Sequence, residues 1–274
     1  MYLDYWQLTQ QPFEPVADRV GFYPCEAHEA ALLKLRYVVE HQRGAALLAG
    51  PSGSGKTMLV NLLRESLAER FEPIVHLVFP QMSGRDLLVY FAEQFGAPPA
   101  DPPRHTVEES IRRLEFFLTQ NAKAGRQALA IVDEAHLLED CGALETLRLL
   151  LNFENAGRPA LGLLLVGQTS LLSAVGRLPS LDERVAVKAM LRSFTPDETA
   201  GYVRHRLTAA GAARELFTPD AIEAIHYLSR GLPRQINRLA DLALLVGFAD
   251  RLPRLGAEHI EAVSEELVTL VGDH

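Results

Sequence analysis

Apolar residues along this chain fall into two patterns that alternate. Short continuous runs, 45–49, 73–79, 128–132, 161–166 and 185–191, are the right length for buried strands. Between them, apolar positions recur at three- and four-residue steps, as Ala31, Leu32, Leu35 and Val38 do within 27–39. The same spacing predicts helices over 56–69, 86–95, 107–123 and 144–153, with a proline-rich connection at 98–103. Strands that are apolar nearly throughout, each followed by a helix, predict an α/β fold with a five-stranded parallel sheet covered on both faces. After Phe194 the runs stop, and four helical stretches follow at 196–210, 219–229, 233–249 and 257–270. Two of them open on helix-start signals, Thr195-Pro196-Asp197-Glu198 and Thr218-Pro219-Asp220. The expected division is an α/β domain over 1–193, with an N-terminal extension, and a small all-helical domain over 194–274.

Composition changes this picture little. Of 274 residues, 48% are hydrophobic and 23% charged, ordinary for a soluble globular chain. No apolar run approaches the roughly 20 residues that span a bilayer, and the first residues, Met1 to Trp6, have neither a basic leader nor a hydrophobic signal core. Cys25 and Cys141 stand far apart, and the 9 histidines form no paired metal motif. The expected location is the cytoplasm, with the inner face of the membrane as an alternative. The formal charge of −8 argues against a dedicated DNA-coating surface, though not against a local basic patch facing the pore of a ring.

Candidate chemistry changes it more. Gly50, Pro51, Ser52, Gly53, Ser54, Gly55, Lys56 and Thr57 match G-x-x-x-x-G-K-[ST] completely, with a predicted strand before them and the helix predicted over 56–69 after them, and with Met58 they are the expected nucleotide-binding residues. Glycines let the backbone curl so that successive N–H groups face phosphate oxygens, and the helix adds the positive end of its dipole. Lys56 then brings a full charge to the β- and γ-phosphates, and the Thr57 hydroxyl helps to hold a metal ion. The implied ligand is ATP with Mg2+. Asp133 and Glu134 end the apolar run 128–132 in the Walker B arrangement, Asp133 toward the metal and Glu134 toward the attacking water. Alone, such a pair is also how a solvated helix begins. The tetrad Asp133-Glu134-Ala135-His136 matches the DEAH-box helicases too, but these need a second sheet domain, and the helical remainder is too short for one.

Three further residues are candidates. Gln168 ends the run 161–166; in P-loop enzymes of strand order 5-1-4-3-2 that strand lies between the P-loop and Walker B strands, where an amide meets the γ-phosphate or water. The alternative is a strand-end amide capping a loop. Arg184, with Arg177 in reserve, precedes the last strand, where an arginine can reach a neighbouring subunit's site; a surface ion pair with Asp182 or Glu183 is the alternative. Arg234 lies in the first turn of a helix that starts at Gly231-Leu232-Pro233. A cation gains nothing from that end of a helix, which points to an anionic partner.

The ordered set of motifs resembles a family. The layout is similar to that of AAA+ ATPases and, more narrowly, to the ExeA/GspA-like secretion ATPases and the MshM-like pilus-biogenesis proteins. The resemblance covers Tyr2 to Leu8, Pro12-Phe13, Phe22-Tyr23, the P-loop, Leu147 to Glu154, Val166-Gly167-Gln168, Phe217-Thr218-Pro219 and Gly231 to Asn237. It implies that Gln168 is sensor 1, Arg184 the arginine finger and Arg234 sensor 2, and that Phe13 and Tyr23 lie near the adenine, with core packing as the alternative for each. It also implies ATP hydrolysis that rearranges a ring-shaped homo-oligomer of about six subunits, serving a protein partner in a secretion, pilus or envelope assembly. Transposition regulators that assemble on DNA share this ATPase architecture and form the second reading. Two departures stand out. The membrane-spanning and peptidoglycan-binding regions of ExeA-type proteins are not expected within these residues, and Gln168-Thr169-Ser170-Leu171 replaces the family's usual Gln-Pro-Glu-Leu.

Overall fold

The computed structural model describes residues 2–14, 21–67, 70–97 and 106–269. In chain order its first elements are α1 (Tyr2–Trp6), α2 (Glu26–Glu40), β1 (Ala45–Ala49), α3 (Lys56–Ser66), β2 (Ile74–Leu77), α4 (Gly84–Gln94), α5 (Val107–Lys123) and β3 (Ala128–Val132). A 3-10 segment (Ala135–Cys141), α6 (Ala143–Leu150), a two-residue hairpin (Glu154–Asn155 with Arg158–Pro159) and β4 (Leu161–Gly167) follow. The rest are α7 (Ser170–Gly176), α8 (Pro179–Asp182), β5 (Val185–Met190), α9 (Pro196–Ala209), α10 (Pro219–Ser229), α11 (Pro233–Ala249) and α12 (Ala257–Thr269).

These elements group into two compact units. The first takes Glu26–Ser52 and Leu59–Leu191, and so holds all five long strands. They pair in parallel in the order β2-β3-β4-β1-β5, which is 5-1-4-3-2 read from the other edge. The three inner strands β1, β3 and β4 are buried at every residue, as their unbroken apolar runs require. The edge strands alternate: β2 buries Val75 and Leu77, and β5 buries Val185 and Ala189 while Ala186, Lys188 and Met190 face water. Helix α5 starts where the Thr106 side chain accepts the N–H of Glu109, and it lays Leu114 and Leu118 into the core. Near its end Asn121 donates to the Glu72 carbonyl at 2.8 Å, satisfying a buried amide.

The helix predicted over 144–153 stops at Leu150. Asn155, Ala156, Gly157 and Arg158 reverse the chain, with positive φ of 52° at Ala156 and 74° at Gly157. Two successive left-handed residues are what a tight two-residue hairpin turn needs, and a helix cannot continue into them.

The second unit takes the described residues up to Cys25, then Gly53–Met58, then those from Arg192 onward. The sequence-based division placed the N-terminal extension with the sheet, whereas here it packs on helices. Trp6 is the reason. Its ring is fully buried, and its indole N–H donates to the Leu244 carbonyl at 2.9 Å. Gly247 makes room, since a Cβ there would lie 2.9 Å from the Trp6 ring. Tyr2 donates to Asp241 and Tyr5 to the Leu252 carbonyl, both from α1. Arg206, buried on α9, donates at 2.6 Å to the carbonyls of Pro12 and of Glu14, so the strand-less segment after α1 is held by a charge-assisted clamp. Thr195 and Glu198 form a reciprocal capping box at the start of α9, and Arg192 holds the Glu198 carboxyl below its usual range. The proline-rich connection 98–103 lies outside the described residues.

Candidate nucleotide-binding site

Parallel pairing puts the C-terminal ends of β1, β3 and β4 at one edge of the sheet. Ala49 pairs with Gly167 and Val132 with Leu165, so the chain leaves that edge at Gly50, at Asp133 and at Gln168. The Gly50 N–H donates to the Gly167 carbonyl at 3.2 Å, and the Asp133 N–H to the Leu77 carbonyl at 2.8 Å. Three of the expected site positions are thereby brought to one edge by ladder hydrogen bonds alone.

The glycine-rich loop after β1 curls at Gly53 and Gly55, with φ of 78° and 97°, a region that only glycine enters at little cost. Gly50 does not share it; its place is the end of the strand. Ser54 and Lys56 are buried, Thr57 is exposed, and α3 begins at Lys56 with Thr57 and Met58 in its first turn. A curled loop that opens onto a helix N-terminus, with a buried lysine and an exposed hydroxyl next to it, fits a polyphosphate and its metal ion.

Asp133 is 3% exposed and accepts the N–H of Glu134 at 2.9 Å through Oδ1. His76 on β2 stands 3.8 Å from its other oxygen. Glu134 adopts a left-handed backbone, φ 49° and ψ 32°, and its half-exposed carboxylate lies 3.4 Å from Nδ1 of His136. A residue with a side chain holds that conformation only where its surroundings support it.

In the helical unit, Gly53 meets Arg234. The Arg234 N–H donates to the Gly53 carbonyl at 3.2 Å, and a Cβ on Gly53 would lie 2.8 Å from the Cβ of Arg234. The start of α11 explains the contact. Leu232 supplies no side-chain cap and Pro233 has no N–H, so the first free donor of the helix is that of Arg234, and the loop carbonyl satisfies it. Gly231 sets the turn, with φ 66° and its carbonyl accepting from Phe194; a Cβ there would lie 2.3 Å from the Phe194 carbonyl oxygen. Nothing in the sequence pattern announced the Gly53 pairing.

Tyr23 lies in an aromatic cluster with Phe194, Tyr202 and His205, at ring separations of 6.0, 6.0 and 5.7 Å. It fills the space beside Gly201, and burial above all raises its phenol from the ordinary value, so the hydroxyl stays protonated and can donate. Phe13, in contrast, is 2% exposed and packs edge-on against Phe217, as a core residue does.

Arg184 is not with the others. Val185 pairs with Ala45, and the Arg184 carbonyl accepts the Ala45 N–H, which puts Arg184 at the opposite edge of the sheet. The five residues of β1 separate it from Gly50, roughly 16 Å along the strand. Asp182, one of its two candidate counterions, pairs with Lys188, and among the described residues no ion pair joins Arg184 to Asp182 or Glu183.

A five-stranded parallel sheet in this order, with a P-loop leaving its inner strand, defines a P-loop ATPase. The family described as AAA domain matches residues 39–175, half of the chain. The chain belongs to that family. It is 34% identical over 253 residues to the general secretion pathway protein A of Aeromonas hydrophila, a match covering 91% of this chain and 45% of that protein. The chain thus spans about half the length of that relative, and the resemblance read from the sequence motifs is borne out. Among solved structures, Aeropyrum pernix ORC2 superposes with a TM-score of 0.70 at 16% identity, covering 94% of this chain and 71% of that one. Cdc6p from Pyrobaculum aerophilum gives 0.69 at 18% identity, over 93% and 70% of the two chains. At such identities the likeness is one of fold.

Proposed function

We propose that this AAA ATPase hydrolyses ATP with Mg2+ to rearrange a homo-oligomer that serves the assembly of a secretion, pilus or envelope system. The observation that carries the reading is the 34% identity with general secretion pathway protein A, extending over 91% of the chain rather than over the P-loop alone. The loop from Gly50 to Met58 cradles the polyphosphate, Lys56 neutralises the β- and γ-oxygens, and Thr57 with Asp133 holds the metal ion, which spreads the charge that develops on the phosphates. Glu134 takes a proton from the attacking water as the γ-phosphorus bond to the bridging oxygen breaks and ADP leaves. Gln168 orients the γ-phosphate or that water. Arg234 adds positive charge from α11, and Tyr23 lies by the adenine. The placement of Arg184 at the far edge of its own sheet supports a role in the neighbouring subunit's site, and closed rings of about six subunits provide such neighbours.

The expected result is an ATPase rate per subunit that rises with protein concentration and is indifferent to duplex DNA, measured by steady-state phosphate release. A rate flat with concentration would contradict the oligomer. Stimulation by DNA would replace the assembly role with that of a DNA-bound regulator. In the native cell, a Lys56→Ala allele is expected to abolish appearance of the secreted or pilus protein at the surface; unaltered export would remove the assembly role and leave the ATPase.

A further inference from the structure

We propose that His136 is a positioning residue for hydrolysis, tying the end of β3 to the end of β4 so that Glu134 and Gln168 meet the γ-phosphate in one fixed geometry. The proposal rests on the assignment of Glu134 to the attacking water.

The imidazole is mostly enclosed, with its side chain 14% exposed. Nδ1 lies 3.4 Å from the backbone nitrogen of Gln168 and 3.4 Å from Oε2 of Glu134. The ring also occupies the space that a side chain on Gly167 would need, for a Cβ there would lie 3.2 Å from Nδ1 and 3.3 Å from the His136 backbone nitrogen. The glycine at the end of β4 is therefore what lets the histidine reach the Gln168 N–H.

One nitrogen faces two partners with opposite demands. To accept from the Gln168 N–H, Nδ1 must offer its lone pair; to attract the Glu134 carboxylate, it must carry a proton. The ring serves one at a time. With Nδ1 accepting from Gln168, the backbone at the end of β4 is held and the half-exposed carboxylate of Glu134 is released from the ring, available to water. With Nδ1 donating to Glu134, the carboxylate is parked against the ring. The left-handed backbone of Glu134, two residues before His136, keeps the carboxylate within reach of either arrangement. Among the described residues the hydrogen bonds and ion pairs of His136 run to Gln168 and Glu134, so its effect is expected on the chemical step rather than on nucleotide binding.

The test compares His136→Leu, which fills the space without an acceptor, with His136→Asn, whose amide places a polar atom near the position of Nδ1. ADP affinity, KM for ATP and kcat are measured for each, with Glu134→Gln as the control. His136→Leu is expected to lower kcat about tenfold or more, by misplacing the reacting groups, with KM and ADP affinity within about twofold of wild type. His136→Asn is expected to recover kcat to within about threefold. Gly167→Ala crowds the intact ring from the other side and is expected to lower kcat as well; it decides the matter if His136→Leu does not fold. Wild-type kcat in His136→Leu or, failing that variant, in Gly167→Ala, alongside an inactive Glu134→Gln, would overturn the proposal. So would an Asn variant as impaired as the Leu variant. Wild-type turnover in Glu134→Gln would instead overturn the assignment of Glu134 itself, and the proposal with it.

Discussion

Lys56→Ala is expected to weaken ATP binding at least about a hundredfold, near 3 kcal/mol, and to abolish turnover. Lys56 is buried at the first turn of α3, directly after the left-handed Gly53 and Gly55, where on the proposed reading its ammonium would join the loop N–H groups around phosphate. A charge-assisted hydrogen bond to phosphate contributes about 1.5–3 kcal/mol, and on the proposed reading one lysine would meet two phosphates. Truncation leaves the loop geometry, set by glycine φ angles, in place. The variant is therefore expected to melt at a temperature close to that of the wild type without nucleotide and to lose the stabilisation that ATP confers on the wild type. Isothermal titration and thermal melting with and without ATP check both parts. ATP binding undiminished in Lys56→Ala would mean that the loop is not the phosphate site.

Glu134→Gln is expected to separate binding from chemistry. The substitution keeps size and hydrogen-bonding reach but removes the carboxylate proposed to take the proton from water, a contribution of about 10²–10⁴-fold. Nucleotide affinity is expected to hold or to rise, because the cradle after β1 is untouched and a negative charge near the γ-phosphate is gone. The variant should accumulate unhydrolysed ATP, read directly by identifying the nucleotide that co-purifies or remains bound after a single-turnover reaction. Release of ADP at the wild-type rate would show that another group activates the water.

Strands β1 and β3 were legible to the residue and β4 to within one, because all three are buried on both faces and read as unbroken apolar runs. Long amphipathic helices such as α5 and α11 were equally legible, since one buried stripe imposes the three-to-four spacing over many turns. What the pattern concealed has short range or long reach. Helices α1, α7 and α8 have 5, 7 and 4 residues, too few for a period to show. The attachment of Trp6 to α11 joins residues more than two hundred positions apart, and its one local hint is Gly247 in the last turn of that helix. For the candidate site, the motifs named Lys56, Asp133 and Glu134, whose spacing follows from the chemistry of phosphate and metal. The Gly53 carbonyl that caps α11 and the His136 ring against Gly167 are properties of backbone geometry, and no residue type marks them in advance.

If a neighbouring subunit completes each ATPase site, two variants that are inactive for different reasons should restore each other when mixed. Arg184→Ala retains its own P-loop and Glu134 but offers no arginine to its neighbour; Glu134→Gln offers the arginine but cannot activate water. Each alone is expected to hydrolyse ATP at a small fraction of the wild-type rate. Mixed at equal concentration and allowed to exchange subunits, they are expected to regain activity, because about a quarter of the sites in a randomly assembled ring pair an intact Glu134 with an intact Arg184. A mixture no more active than its components, with both variants binding ATP and assembling, would contradict a shared site. An Arg184→Ala variant as active as wild type would contradict it sooner.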